Sequence, residues 1–219
     1  MKHLLKGAAL AFTLAAGPAN ATVIINFANV TTDEQVLFAS STETPSPTLI
    51  ANTNQSKVAV TFANAEKLIA NASGQSSTEN ANGRLVGDTS VSIASGFSFS
   101  TAEFQVPGIP GNNFPEANKI FVQAVGVDGN NIGPGTFLTI SGNGENRIGI
   151  RGDMGEMFTG FRITLTPVGA GVDALSQVRL GGVSKVGAVP EPATWMMMLF
   201  GFGVVGGAMR RRNTVPSFA

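Results

Sequence analysis

Four carboxylates, Asp128, Glu145, Asp153 and Glu156, stand in or beside glycine-rich turns, where side-chain and backbone oxygens can converge on a calcium ion. The spacing Asp153-x-x-Glu156 is loose, and the twelve-residue calcium loop with its closing glutamate is absent. These residues therefore read as solvated turn carboxylates, with calcium binding the weaker reading and no metal assigned. Two carboxylates a few ångströms apart could also hydrolyse a glycosidic bond. Sugar sites, however, usually offer Tyr or Trp platforms. The chain has no Tyr, and its single Trp is Trp195, close to the C-terminus. No catalytic residue and no cofactor are assigned, and the protein is expected not to be an enzyme.

A second group has the composition of a substrate. Pro190 and Pro192 lack backbone donors, and each pushes its predecessor, Val189 or Glu191, into an extended conformation. Proteases and transpeptidases bind extended chains, so Pro190-Glu191-Pro192 reads as a processing motif. Seventeen uncharged residues follow, Ala193 to Met209. As a helix they would be about 26 Å long, enough for a thin hydrocarbon core. A transmembrane helix is expected over 193–209, with Trp195 at the outer interface and Arg210, Arg211 and Arg212 as the cytoplasmic stop. Gly203 and Gly207 would permit close packing against another helix. Residues 213–219 would form a short cytoplasmic tail.

The other end points the same way. Lys2 and Lys6 precede the uncharged run Gly7–Ala16, and Ala19-Asn20-Ala21 has the small-x-small pattern that signal peptidase accepts. Residues 1–21 thus read as a signal peptide whose helix is too short to span a bilayer. Cleavage after Ala21 would leave Thr22 first and would remove His3, the only histidine. With no His and no Cys remaining, Ser-His-Asp and Cys-His nucleophiles and ordinary zinc sites are excluded. The destination is oxidising, yet no disulfide can form, so the core and its hydrogen bonds must hold the fold.

Residues 22–189 contain nine Lys/Arg against thirteen Asp/Glu, a net charge of −4. No basic patch is available for a phosphate backbone, which argues against nucleic acid. The length suits one domain, expected over 22–188.

Short alternating segments must position whatever this domain presents. Thr22–Phe27 reads as a strand. Residues 28–56 read as a long loop with one short strand at Val36–Phe38, because Pro45-Ser46-Pro47 blocks regular structure. Lys57–Ala63 alternates with Val58, Val60 and Phe62 inward. Ala65–Ala70 reads as one or two helical turns, and Asn71–Arg84 as an exposed loop. Val91 and Ile93, then Phe97, Phe99 and Phe104, continue the inward alternation. Pro107–Pro115 must be a loop. Lys119–Val127, the most apolar strand, is expected to be central and to turn at Asp128-Gly129-Asn130-Asn131 into Thr136–Ser141. Ser90 and Ser92 alternate outward with Val91 and Ile93, and Gly160–Thr166 places Phe161, Ile163 and Leu165 inward with Arg162 and Thr164 outward; with Arg147–Arg151 and Gln177–Val183 these complete eight or nine strands. The expected fold is mainly β: an antiparallel, jelly-roll-like β-sandwich, with the signal helix before it and the transmembrane helix after it.

Pro-Glu-Pro, then Trp195, Met197-Met198-Leu199-Phe200-Gly201-Phe202-Gly203 and the arginine cluster together resemble the PEP-CTERM sorting signal, over residues 189–212. Met196 stands where Ala is common, and Asn213–Ala219 make an unusually long extension. Gly160–Val183 is also similar to the last strands of small β-sandwiches attached to such tails. The resemblance implies a substrate of exosortase in a Gram-negative bacterium that makes extracellular polysaccharide. On this reading signal peptidase and exosortase are the processing partners and the inner membrane holds the chain transiently. The protein would end at the cell surface or in the matrix, with a structural or adhesive role in the polysaccharide layer. The alternative is a carbohydrate-binding β-sandwich module, with or without calcium.

Overall fold

The computed structural model describes residues 22–71, 76–109, 117–142, 144–186, 197–203 and 205–206. The chain divides into two compact units, Met1–Lys185 and Val186–Ala219.

Sixteen strands are described in the first unit: β1 (Val23–Asn26), β2 (Glu34–Leu37), β3 (Thr42–Thr53), β4 (Ala59–Asn71), β5 (Ser77–Asn80), β6 (Leu85–Val86), β7 (Asp88–Ile93), β8 (Phe97–Ser98), β9 (Thr101–Gln105), β10 (Lys119–Gly126), β11 (Asn131–Thr139), β12 (Arg147–Gly152), β13 (Phe158–Thr166), β14 (Gly171–Val172), β15 (Leu175–Gly181) and β16 (Ser184–Lys185). Twelve belong to one antiparallel sheet in the order β1-β12-β9-β15-β2-β3-β4-β7-β13-β10-β11, with β5 joining β4 to β15. Strands β15, β2, β3, β4 and β5 therefore close a ring: a five-stranded barrel. Two arms leave it, β9-β12-β1 from β15 and β7-β13-β10-β11 from β4.

The expected sandwich is corrected by this closure. The ladders do not separate into two sheets, because β5 bridges β4 and β15, pairing Ala70 with Thr78 on one side and Leu175 with Thr78 on the other. Closure removes edges that a sandwich would leave open. The sequence Ser-Thr-Glu-Asn reads as loop, yet Thr78 and Asn80 are buried. Their side chains are satisfied locally: Thr78 Oγ1 donates to Leu175 O, and Asn80 donates to Lys67 O at 2.8 Å while accepting from Val86 N at 2.7 Å. A polar strand can be buried when its groups are paired this way.

Three further expectations change. The supposed loop over 28–56 contains twelve-residue β3, which runs through Pro45 and Pro47. Its ladder with β4 slips on either side of Ser46, and β2 pairs with β3 only at Asn52 and Thr53. Residues without an N–H can stand where a strand lacks a second partner and bulges. The helical turns at Ala65–Ala70 are instead the far half of β4, where Ile69 and Ala70 pair with β5; Lys67 takes a positive φ of 59° at the irregularity. Strand β10 is next to last in its arm rather than central.

The core follows the alternation. Phe62, Val60, Phe104, Ile120, Val122, Phe161 and Ile163 are among its fully buried side chains. Phe104 of one arm stacks on Phe161 of the other, with centroids 4.8 Å apart and planes 7° apart, and Phe99 meets Phe158 at 5.8 Å.

In the second unit the described residues 197–203 and 205–206 are helical. No helix among the described residues is long and apolar enough to cross a membrane. A helix of nine residues rises only about 14 Å, about half of a typical hydrocarbon core. The transmembrane helix expected over 193–209 is corrected accordingly; the expected signal helix over 1–21 lies outside the described residues.

Candidate functional site

An open groove of about 730 Å³ lies on the outer face of the β4-β7-β13-β10 arm. Register assembles it. Thr48 pairs with Ala63, Ala63 with Ser90, Ser90 with Arg162, and Arg162 with Gln123, giving one row across five strands. In the next row Asp88 pairs with Thr164, Thr164 with Phe121, and Phe121 with Phe137. Ala63 and Ser90 are small and form the floor; Pro47 lines one side, and Phe121 and Arg162 the other.

Two amides are locked in place. β11 contains two more residues than its partner between the pairs Val122–Thr136 and Ala124–Ile132. Gln123 fills the resulting gap: its Nε2 donates to Ile132 O at 2.9 Å and to Gly133 O at 3.1 Å. Asn64 donates to Val86 O and Thr89 Oγ1 and accepts from Glu66 N, at 2.8, 2.9 and 2.7 Å. Gly135, at φ 75°, leaves room for the Phe121 ring, which a Cβ there would strike. Phe121 tilts against Phe137 at 4.7 Å, and Phe137 is 65% exposed.

Asp88 and Arg162 are exposed and have no ion-pair partner among the described residues. They lie one row apart on neighbouring strands. The groove thus offers one carboxylate, one guanidinium and several hydroxyls, without net charge. No local motif announces it. Alternation placed Ser90, Arg162 and Thr164 outward, but only the register brings them together.

A second polar cluster is structural. Glu103 of β9 is buried, 3.6 Å from Arg147 and 3.9 Å from Arg179, and accepts from Val30 N at 3.2 Å. The segment after β1 covers it, and Gly149 and Gly181 admit that segment: a Cβ at either would press on Ala28 O or Thr31 O. Glu34 accepts from Gln55 N and Ser56 N at 3.2 and 3.0 Å. Burial acts to raise its pKa, but hydrogen bonds from Ser56, Thr53 and Gln55 outweigh it and hold the carboxyl below its ordinary value.

The four turn carboxylates are not assembled into a site. Asp128 caps the β10–β11 turn, bonded to the side chain and backbone of Asn130 at 2.8 and 3.0 Å, which lowers its pKa. Glu145 accepts from Gln105 in the β11–β12 connection. Asp153 and Glu156 share the β12–β13 turn, where Glu156 accepts from Met154 N at 2.8 Å and Thr22 N at 3.0 Å. Among the described residues no group of three or more His, Cys, Asp or Glu could hold a metal ion. That observation gives the calcium reading no support.

Ala19, Ala21, Pro190, Glu191, Pro192, Trp195, Arg210, Arg211 and Arg212 lie outside the described residues. Comparison with known proteins bears on the C-terminal group. No curated protein and no solved structure matches the chain. Residues 188–212 match the family model of the PEP-CTERM protein-sorting motif. The chain carries a PEP-CTERM protein-sorting motif at residues 188–212, a signal for processing by exosortase and sorting to the cell surface.

Proposed function

We propose that the domain over residues 22–188 is a non-catalytic surface or matrix protein with a structural or adhesive role in the extracellular polysaccharide layer. The sorting motif at residues 188–212 carries this reading, because it directs the domain to the cell surface. Several features support it. The region 22–189 has a net charge of −4 and no His or Cys, so it suits neither nucleic acid nor the common nucleophilic mechanisms. In the proposed route signal peptidase acts after Ala21, the chain is held briefly at the inner membrane, and exosortase then acts near Pro190–Pro192.

Mass spectrometry of the protein recovered from its native host tests the route. The mature chain is expected to begin at Thr22, to end near Pro190–Pro192 and to lack Trp195–Ala219. Recovery of chains ending at Ala219 and retained in the cell membrane would refute it.

A second reading, a carbohydrate-binding module, is favoured by one observation, the open polar groove lined by Asp88, Arg162 and Phe121. The turn carboxylates Asp128, Glu145, Asp153 and Glu156 have no part in it.

A further inference from the structure

We infer that the outer groove of the β4-β7-β13-β10 arm is a binding site for an extended, uncharged polysaccharide, with Asp88, Arg162 and Phe121 as its principal contacts. The inference names a site for the polysaccharide reading above and rests on it.

Four features set the ligand's chemistry. The groove is long and open. One row of paired residues crosses five strands, a span of roughly 19 Å at ordinary strand spacing. That shape admits a chain passing through and does not enclose a small molecule. Its charges cancel: Asp88 contributes one carboxylate and Arg162 one guanidinium, neither ion-paired among the described residues. A phosphate or polyanion would meet Asp88 unfavourably, and a polycation would meet Arg162. Sugar hydroxyls both donate and accept, so adjacent hydroxyls can donate a hydrogen bond to Asp88 and accept one from Arg162, while Ser90 and Thr164 serve either role.

The third feature is apolar. Phe121 sits in the row beside Arg162, and its tilted partner Phe137 is exposed. The C–H face of a sugar ring fits such a surface. Fourth, the walls are stiff. Gln123 and Asn64 spend their amide hydrogens on backbone carbonyls and on Thr89, so little ordering is left to be done on binding.

Affinity electrophoresis of the processed protein tests the site, in native gels cast with a neutral glucan, mannan or galactan, and with polygalacturonate as the acidic comparison. The wild type is expected to be slowed by at least one neutral polymer. Arg162→Ala and Asp88→Asn are each expected to weaken that retardation at least about tenfold. Asp128→Asn, in a turn away from these rows, is expected to leave it unchanged. Melting curves matching the wild type establish that the variants fold. No retardation in any neutral gel, retardation that survives both groove substitutions, or retardation by polygalacturonate alone would overturn the proposal. Immunolabelling of intact cells separates the two readings. Wild type absent from the surface sinks the surface role, whereas wild type at the surface without neutral-gel retardation sinks only the groove.

Discussion

Removal of residues 1–21 would change the charge of one atom that the fold already holds. Thr22 N lies 3.0 Å from Glu156 Oε1, Glu156 Oε2 accepts from Met154 N at 2.8 Å, and Asp153 N donates to Thr22 O at 3.0 Å. Gly152 makes this fold-back possible, since a Cβ there would lie 2.7 Å from both Glu156 N and Oε2. In the uncut chain Thr22 N is an amide. After cleavage at Ala21 it is an ammonium, and the same contact becomes an ion pair that pins the start of β1 to the β12–β13 turn. We predict that Glu156→Gln costs about 1 kcal/mol in a chain beginning at Thr22, the upper end for an exposed pair discounted for solvent screening. With the amine acetylated, the ion pair is gone and only exposed N–H bonds to the carboxylate are weakened, so the cost falls to about 0.5 kcal/mol. The first figure corresponds to a drop of about 2–4 °C in Tm for a domain of this size.

The pH dependence has a sign at each end. Pairing raises the ammonium's folded pKa above its unfolded value of about 7.7–8.0, so that contribution is present below about 8 and is lost as pH rises through the folded pKa. The Met154 and Glu156 N–H groups chiefly hold the Glu156 carboxyl below its ordinary value of 4.5, so its contribution is present above that value and is lost as pH falls through the folded pKa. The difference between wild type and Glu156→Gln should therefore be largest between about pH 5 and 8. Thermal unfolding by circular dichroism at pH 3, 6.5 and 10, on free and acetylated chains, measures it. An equal cost with and without the free amine, or one unchanged at pH 10, would refute the ion pair.

Phe161→Ala should destabilise the first unit by about 3–5 kcal/mol in denaturant titration, because it removes a fully buried ring and the stack with Phe104 that joins the two arms. A loss below about 1 kcal/mol would mean the arms do not pack through this pair. Glu34→Gln should cost about 1–2 kcal/mol near neutrality, since the carboxylate satisfies Gln55 N and Ser56 N. Its folded pKa is depressed, so this cost should shrink as pH falls below the ordinary carboxylate range; a pH-independent cost would count against it.

Alternation was legible wherever one face of a strand is buried. Val58, Val60 and Phe62 point inward as expected, and so do Phe161, Ile163 and Leu165, with Arg162 outward. The turn at Asp128-Gly129-Asn130 was equally plain, because Asp128 bonds within its own turn. Strands that are extended for other reasons were not legible. Ala65–Ala70 has a helical composition, and pairing with β5 overrides that weak preference. Pro45 and Pro47 read as breakers, but a bulged strand with one free side accepts them.

The sequence by itself determined the sorting signal, since Pro190-Glu191-Pro192, Trp195 and Arg210–Arg212 act as one contiguous stretch of chain whose order is its meaning. It also determined that the domain is mainly β, since period-two hydropathy is local. Only the tertiary structure decided how the sheet closes and where the groove lies. Closure depends on β5, whose backbone bonds to β4 and β15 carry no hydropathic signature. The groove depends on register across strands far apart in the chain, and a one-residue slip would turn Ser90, Arg162 and Thr164 to the opposite face.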